Sequence, residues 1–391
     1  MQNTKQISFF TLLLLISFAS VNAVLFTPAL PAIASFFQIT NDAAQQTITW
    51  FLIGYALGQL VYGPIANRFG RKRALYVGVG LQIISSLICI AAGITHLYIM
   101  LIIGRFLLAL GSGVGLKMTF TLVNECYEPK IASKKISYLM LAFAITPGLA
   151  IALGGVLTAH FGWTSCFYAG AIYGVILLLF ITRLPETLAV LHYDALKLKH
   201  LLHGYGVQFK NLRLIAGGLM MGSCSSFIYV FAAAAPFIAM NLLGMKSTEY
   251  GIANILPSIG LIAGSLCSAR LAESWSLQAI IKTGIMITGG GVVMMIAAMY
   301  LSQSAVVSLF LPMTGIYFGL SLVIANATTV AMSATSDKAH GSAVMNLINM
   351  GLTTLIVLCQ GFVALHAMTL PAVYALLCVM MAGLYRYMYN N

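Results

Sequence analysis

The segment Gly63-Pro64-Ile65-Ala66-Asn67-Arg68-Phe69-Gly70-Arg71-Lys72-Arg73 is a tight basic turn between two long apolar runs. The flanking runs, roughly residues 44–63 and 74–95, each reach the ~20 residues that a helix needs to cross a bilayer. Charged side chains are costly at mid-membrane, so the turn belongs at a membrane surface, and basic loops accumulate on the cytoplasmic side. Reading outward from it, apolar windows recur at 7–36, 97–122, 136–159, 164–183, 213–240, 249–270, 279–300, 305–332, 341–365 and 369–388. The fold class expected is an all-α membrane protein with twelve transmembrane helices in two six-helix pseudo-symmetric bundles.

Composition leads to the same class. Of 391 residues, 60% are hydrophobic and only 7% are charged, with a mean hydropathy of +0.97. Soluble domains carry about 25% charge. The net charge of +12 would suggest nucleic acid in a soluble chain; here it follows from basic loops, and no nucleic-acid partner is expected. With the amino terminus in the cytoplasm, cytoplasmic segments hold every one of the 20 Lys and Arg residues except Lys246, which falls outside, and Arg105 and Lys117, which fall within the fourth span. Both termini are therefore expected in the cytoplasm. The amino-terminal apolar run ends in a signal-like triplet, Val21-Asn22-Ala23, but continues through Phe26 to Phe37 and reads as a first transmembrane helix.

The longest polar segment, about 184–212, divides the chain into bundles at 1–183 and 213–391. Its Asp194, Lys197, Lys199, His192, His200 and His203 lack metal-ligand spacing with any cysteine and read as a solvated linker. Seven scattered cysteines give neither a disulfide framework nor a zinc site. No cofactor and no metal are expected.

All eight acids can be placed: Asp42, Glu125, Glu128, Glu186, Asp194, Glu249, Glu273 and Asp337. Each falls in a loop or at a helix end. The ionisable groups set well inside a span are Arg105 and Lys117, twelve residues and so about 18 Å apart on one helix. Such residues are functional candidates by default. Arg105 has a structural reading as well, donating to carbonyls of the first span; Lys117 has one in snorkelling towards the headgroups. Gly111, Gly113 and Gly115 in the same span read as helix-packing positions rather than a phosphate loop. The amides Asn22, Asn326 and Gln360 must find partners inside the bundle. Tyr55, Tyr229, Tyr317 and Phe318 are candidates to line a cavity.

The basic turn resembles G-x-x-x-D-R-x-G-R-R/K-x, the loop between the second and third helices of major facilitator superfamily transporters, with Asn67 where the family has an acid. Other segments resemble the bicyclomycin-resistance (Bcr/CflA) branch of drug:proton antiporters. These are Pro28-Ala29-Leu30-Pro31, Gly58-Gln59-Leu60-Val61-Tyr62-Gly63-Pro64, Arg105-Phe106-Leu107 with Leu110-Gly111, Phe161-Gly162-Trp163, Leu184-Pro185-Glu186-Thr187-Leu188, Ala235-Pro236-Phe237, and Gly319-Leu320 with Asn326-Ala327. The resemblance implies a monomeric inner-membrane exporter of a small drug-like molecule or metabolite, embedded in lipid and coupled to protons. It implies gating roles for Gly63, Asn67, Arg68, Gly70, Arg71, Pro147, Gly148, Gly154 and Gly155. Arg105, by resemblance to the family's arginine, and Lys117, Asn22, Tyr229 and Asn326, by their own chemistry inside apolar runs, are the candidate substrate or coupling residues.

The chain departs from that branch where coupling is concerned. Val24 stands where the first span would carry an acid, Leu108 replaces a glutamine and Ile151 a proline. An alternative with the same fold is therefore an importer or facilitator of an anionic solute, such as a carboxylate metabolite or siderophore, drawn by Arg105 and Lys117. An enzyme finds no support: the chain has no H-E-x-x-H, no G-x-S-x-G and no paired intramembrane acids.

Overall fold

A computed structural model describes residues 7–188, 191, 205–302, 304–335 and 338–390. Lys5, Asp337 and about half of the linker, including its three histidines, lie outside the described residues. Among those described, twelve helices are long and apolar enough to cross a membrane. They are α1 (Phe9–Phe37), α2 (Asn41–Phe69), α3 (Arg71–Thr95), α4 (Tyr98–Cys126), α5 (Lys134–Phe161), α6 (Ser165–Thr182), α7 (Leu212–Leu242), α8 (Ser247–Leu271), α9 (Leu277–Leu301), α10 (Val306–Ser333), α11 (His340–Gln360) and α12 (Thr369–Tyr389).

The basic turn is shorter than the sequence reading made it. That reading ended the second span at Gly63, whereas helix α2 runs through Pro64 to Phe69. A proline removes one backbone donor but holds a φ that suits a helix, and α2 is held on either side of that loss. Gly70 alone breaks the chain, with φ 99°, and α3 restarts at Arg71. That φ favours glycine, and a Cβ there would also stand 2.5 Å from the Glu186 carboxylate.

Helix pairs repeat with an offset of six. The contacts α1–α5, α2–α4, α3–α4 and α3–α6 recur as α7–α11, α8–α10, α9–α10 and α9–α12. Between the halves, α5 packs on α8 and α2 on α11, again an exchange of equivalents. This is the signature of two parallel repeats related by an axis along the membrane normal.

The buried apolar residues fall into separate cores. One core joins both halves at the end away from the basic turn: Phe26, Leu30 and Phe51 share it with Phe231, Tyr250 and Phe310. At the basic end, Leu12, Leu75 and Leu122 belong to a core of the first half only. Leu214, Val344 and Met345 form another within the second half.

Candidate functional site

Helix α4 organises the first half, and its alternating glycines explain how. Successive positions two apart on a helix point in different directions, so each glycine meets a different neighbour. A Cβ on Gly111 would lie 2.5 Å from the Gly78 carbonyl of α3, one on Gly113 2.9 Å from the backbone of Gly58 in α2, and one on Gly115 2.5 Å from the Leu15 carbonyl of α1. Three backbones thus close on α4, as small residues allow.

That packing delivers Arg105 to a defect in α1. The first helical segment of α1 stops at Val24, and Pro28 follows in a tight turn at Thr27–Ala29. A helix end leaves four carbonyls without intrahelical donors. Here the last intrahelical bond runs from the Leu25 N–H to Val21 O at 3.0 Å, and three of the freed carbonyls are served: Val24 O by the Thr27 hydroxyl at 2.8 Å, and Asn22 O and Ala23 O by Arg105 Nη1 and Nη2 at 2.8 and 3.4 Å. Arg105 Nε also reaches Thr47 O of α2 at 3.4 Å. The guanidinium lies 3.8 Å from the Phe26 ring centre and 4.5 Å from that of Phe51, positions that favour a cation. Only 1% of the residue is exposed. Arg105 therefore does not project with Lys117 into an open cavity; it ties α4 to α1 and α2, the structural reading of its position.

Asn22 is turned inward as well. Its Nδ2 donates to Phe18 O at 2.8 Å, and its Oδ1 accepts from Gln82 Nε2 of α3 at 2.9 Å. Gln82 also reaches Ser86 Oγ and Gly170 O of α6, while its Oε1 is buried without a partner among the described residues. A cavity of about 10 Å³ beside this cluster is lined by Asn22, Ser86, Arg105 and Gly170. It is of the size that holds one water. Gln82 was not among the sequence candidates, although the reasoning that singled out Asn22, an amide in an apolar run, applies to it equally.

Asn326 of α10 donates to Ser268 Oγ of α8 at 2.9 Å and to Leu322 O at 2.7 Å. It serves a contact within the second half. Lys117 lies along α2, with Nζ 3.2 Å from Gln59 O and 2.5 Å from the place a Cβ on Gly63 would take. Gly63 thus makes room for a lysine that remains partly exposed. Tyr229 of α7 is half-buried and lies within electrostatic range of Arg105 and of Tyr55 of α2. Tyr317 of α10 lies within such range of Tyr229. The structure therefore brings Arg105, Asn22 and Tyr229 into one region and leaves Lys117 and Asn326 elsewhere.

At the basic end the gating candidates form a network within the first half. Arg71 donates through Nη2 to Glu125 Oε1 of α4 at 2.7 Å and through Nη1 to Asn67 Oδ1 at 2.6 Å. The Thr187 hydroxyl bonds the second Glu125 oxygen. Glu186 accepts from the backbone N–H groups of Arg71 and Lys72 at 2.9 and 3.1 Å, at the first turn of α3. A carboxylate is favoured at such a helix start. Burial pushes the Glu186 carboxyl up, but backbone donors at Leu188, Arg71, Lys72 and Thr187 outweigh it and hold it below its usual range. Lys72 Nζ reaches Thr182 O of α6 at 2.7 Å, and Arg68 lies over the Phe69 ring. The acid missing at Asn67 is thus compensated from a distance by Glu125 and Glu186.

In α5, Pro147 sits inside an unbroken helix, next to a seam of small residues. A Cβ on Gly148 would lie 2.3 Å from Ser258 Oγ of α8, one on Gly155 2.4 Å from Ser247 O of α8, and one on Gly154 1.8 Å from Leu25 O of α1. Gly148 and Gly155 face the other half; Gly154 faces α1.

The family model described as Major Facilitator Superfamily matches residues 12–358. The chain belongs to the major facilitator superfamily. Its curated relatives in that superfamily include the multidrug transporter MdfA of Edwardsiella piscicida, 26% identical over 84% of this chain and 80% of that one. They also include multidrug resistance protein D of Escherichia coli (strain K12), 26% identical over 82% of this chain and 79% of that one. Among solved structures, a partially occluded inward-open form of the Escherichia coli xylose transporter XylE superposes with a TM-score of 0.72 over 98% of both chains at 15% identity, a likeness of fold. The protein is accordingly a multi-pass membrane transporter of this superfamily, not an enzyme.

Proposed function

We propose that this superfamily member exports a small, uncharged or zwitterionic aromatic molecule from the cytoplasm by alternating access. The bundles are residues 1–183 and 213–391, joined by a linker at 184–212, and the basic end faces the cytoplasm of an inner-membrane protein. The observation that carries this reading is the asymmetry of the apolar cores. The halves share a core at one end and have separate cores at the basic end, the arrangement of a state closed outside and open inside. The relatives named as multidrug transporters support the export direction. Coupling to protons rests on family resemblance, and no carboxylate lies mid-span among the described residues to carry it.

The substrate class follows from the side chains near Arg105 and Tyr229. Half-buried phenols at Tyr229 and Tyr317 offer stacking surfaces and hydrogen bonds, while Arg105 donates to backbone carbonyls. A lipophilic cation finds no anionic partner to offset its desolvation there. A second reading, import of an anionic solute, is favoured by one observation: Lys117 is partly exposed. Transport by proteoliposomes of labelled neutral aromatic, anionic and cationic compounds separates the two. The export reading expects accumulation of the neutral compound, weakened in Tyr229→Ala and unaffected in Lys117→Ala. Preferred transport of the anion, lost in Lys117→Ala, would replace it.

A further inference from the structure

Away from the central gap, a cleft of about 680 Å³ opens at the outer end of the second half. It lies between the α7–α8 connection, the first turns of α8 and the start of α10. Leu243, Met245, Ile252, Leu256 and Val306 line it, with Glu249 as its one carboxylate. Its volume is in the range of small-molecule sites. Two turns of unusually wide helix border it, Ile238–Leu242 ending α7 and Val306–Phe310 beginning α10. Such turns are rare and concentrate at functional sites.

The cleft opens sideways rather than towards the partner half. Ile252 is 55% exposed and Val306 40%, and in a membrane-spanning helix such faces meet lipid. Its position in the first turn of α8 puts it near headgroup depth. Glu249 Oε2 accepts from the Lys246 N–H at 3.0 Å; among the described residues Glu249 forms no ion pair. Lys246, three residues away and exposed, is the one described Lys or Arg at this end of the molecule. The Glu249 carboxylate thus stands on an apolar, lipid-facing cleft, and Lys246 is exposed on the segment that adjoins it.

We propose that this cleft binds a phosphatidylethanolamine of the outer leaflet. Its ammonium group meets the Glu249 carboxylate, its phosphate meets Lys246, and an acyl chain lies along Ile252, Leu256 and Val306. A primary ammonium donates hydrogen bonds to a carboxylate, which a choline headgroup lacks; an anionic glycerol headgroup would be repelled by Glu249. The charge pattern therefore selects among lipids that share the same chains.

Native mass spectrometry of the purified protein, titrated separately with phosphatidylethanolamine, phosphatidylcholine and phosphatidylglycerol of matched chains, tests this. Wild type is expected to retain one phosphatidylethanolamine preferentially. Glu249→Gln should lower that preference by about fivefold, the scale of an exposed ion pair, and Lys246→Gln should lower it less. Ile252→Trp, which keeps both charges and fills the cleft, should reduce retention of all three lipids, so the outcome does not depend on one variant folding. Equal retention of the three lipids by wild type, a preference unchanged in Glu249→Gln, or a retention unchanged in Ile252→Trp, would overturn the proposal. So would displacement of the lipid by a transported cationic amphiphile with loss of transport in Glu249→Gln, which would make the cleft a substrate entrance.

Discussion

The two ends of this transporter are held together by different physics. At the basic end the strong contacts are polar and stay within the first half: Arg71 with Glu125 and Asn67, Glu186 on the first turn of α3, and Lys72 on Thr182 O. At the opposite end the halves meet through apolar side chains and the close backbones of Gly155 and Gly251. That sealed end also buries polar atoms without partners among the described residues: Gln45 Oε1 of α2, both amide atoms of Gln360 in α11, and the Tyr250 hydroxyl of α8. Each such orphan costs roughly 1–3 kcal/mol. The seal is therefore stabilised by area and weakened by its own amides, as suits a gate that must open. The polar network instead ties α2, α3, α4 and α6 of one half to each other.

The strongest test of this contrast is Gly155→Leu. A Cβ there already meets the Ser247 carbonyl at 2.4 Å and the Gly251 Cα at 3.1 Å, and these are backbone atoms that cannot turn aside. The substitution should prevent outer closure and reduce transport to background while each half stays folded. Distances between spin labels at the outer ends of α5 and α8 would lengthen; unchanged distances would place the gate elsewhere.

A smaller effect of opposite sign is expected from removing the orphans. Gln45→Leu with Gln360→Leu replaces unpaired buried amides by apolar groups and should strengthen the seal. At ~1–2 kcal/mol per amide, the ratio of closed-outside to open-outside molecules should rise by roughly 30-fold or more. Label distances across α2 and α11 should narrow, and turnover should slow. A double variant that opens the outer end instead would mean that these amides meet partners in the closed state.

The same rule explains what could be read in advance. Gln360 was recognisable as an amide in an apolar run that needs a partner, and so were Asn22 and Asn326. For Asn22 the partner is Gln82, sixty residues on; for Asn326 it is Ser268; for Gln360 the fold supplies none among the described residues. A need for a partner is a property of one residue. Its identity depends on which helices touch.

The smallest effect lies at the basic end and depends on pH. Because Glu186 has a folded-state pKa held below the ordinary carboxylate range, its contribution is present above the unfolded pKa. It is lost as pH falls through the lowered folded value. Glu186 is partly exposed, so solvent screening keeps this contribution modest. Protection of the Arg71 and Lys72 amides, measured against their intrinsic exchange rates, should fall over that acidic window in wild type. In Glu186→Gln it should be low already at neutral pH and should not fall further with acid. Exchange that ignores both changes would remove Glu186 from the latch.

Hydropathy and charge sufficed for the twelve spans, their alternation and the concentration of basic residues at one end. These follow from transfer free energies that each residue carries with it into lipid or water. The break at Gly70 was also legible, since a glycine between basic residues is a local signal, although the sequence placed the end of α2 six residues early. Tertiary structure alone decided that Arg105 serves the carbonyls of α1, that Glu125 stands in for the acid missing at Asn67, and which end is sealed. The first two of these join residues 54 to 83 positions apart. They depend on how closely the glycines of α4, α5 and α8 let backbones approach, a quantity set by pairs of helices and invisible in either one.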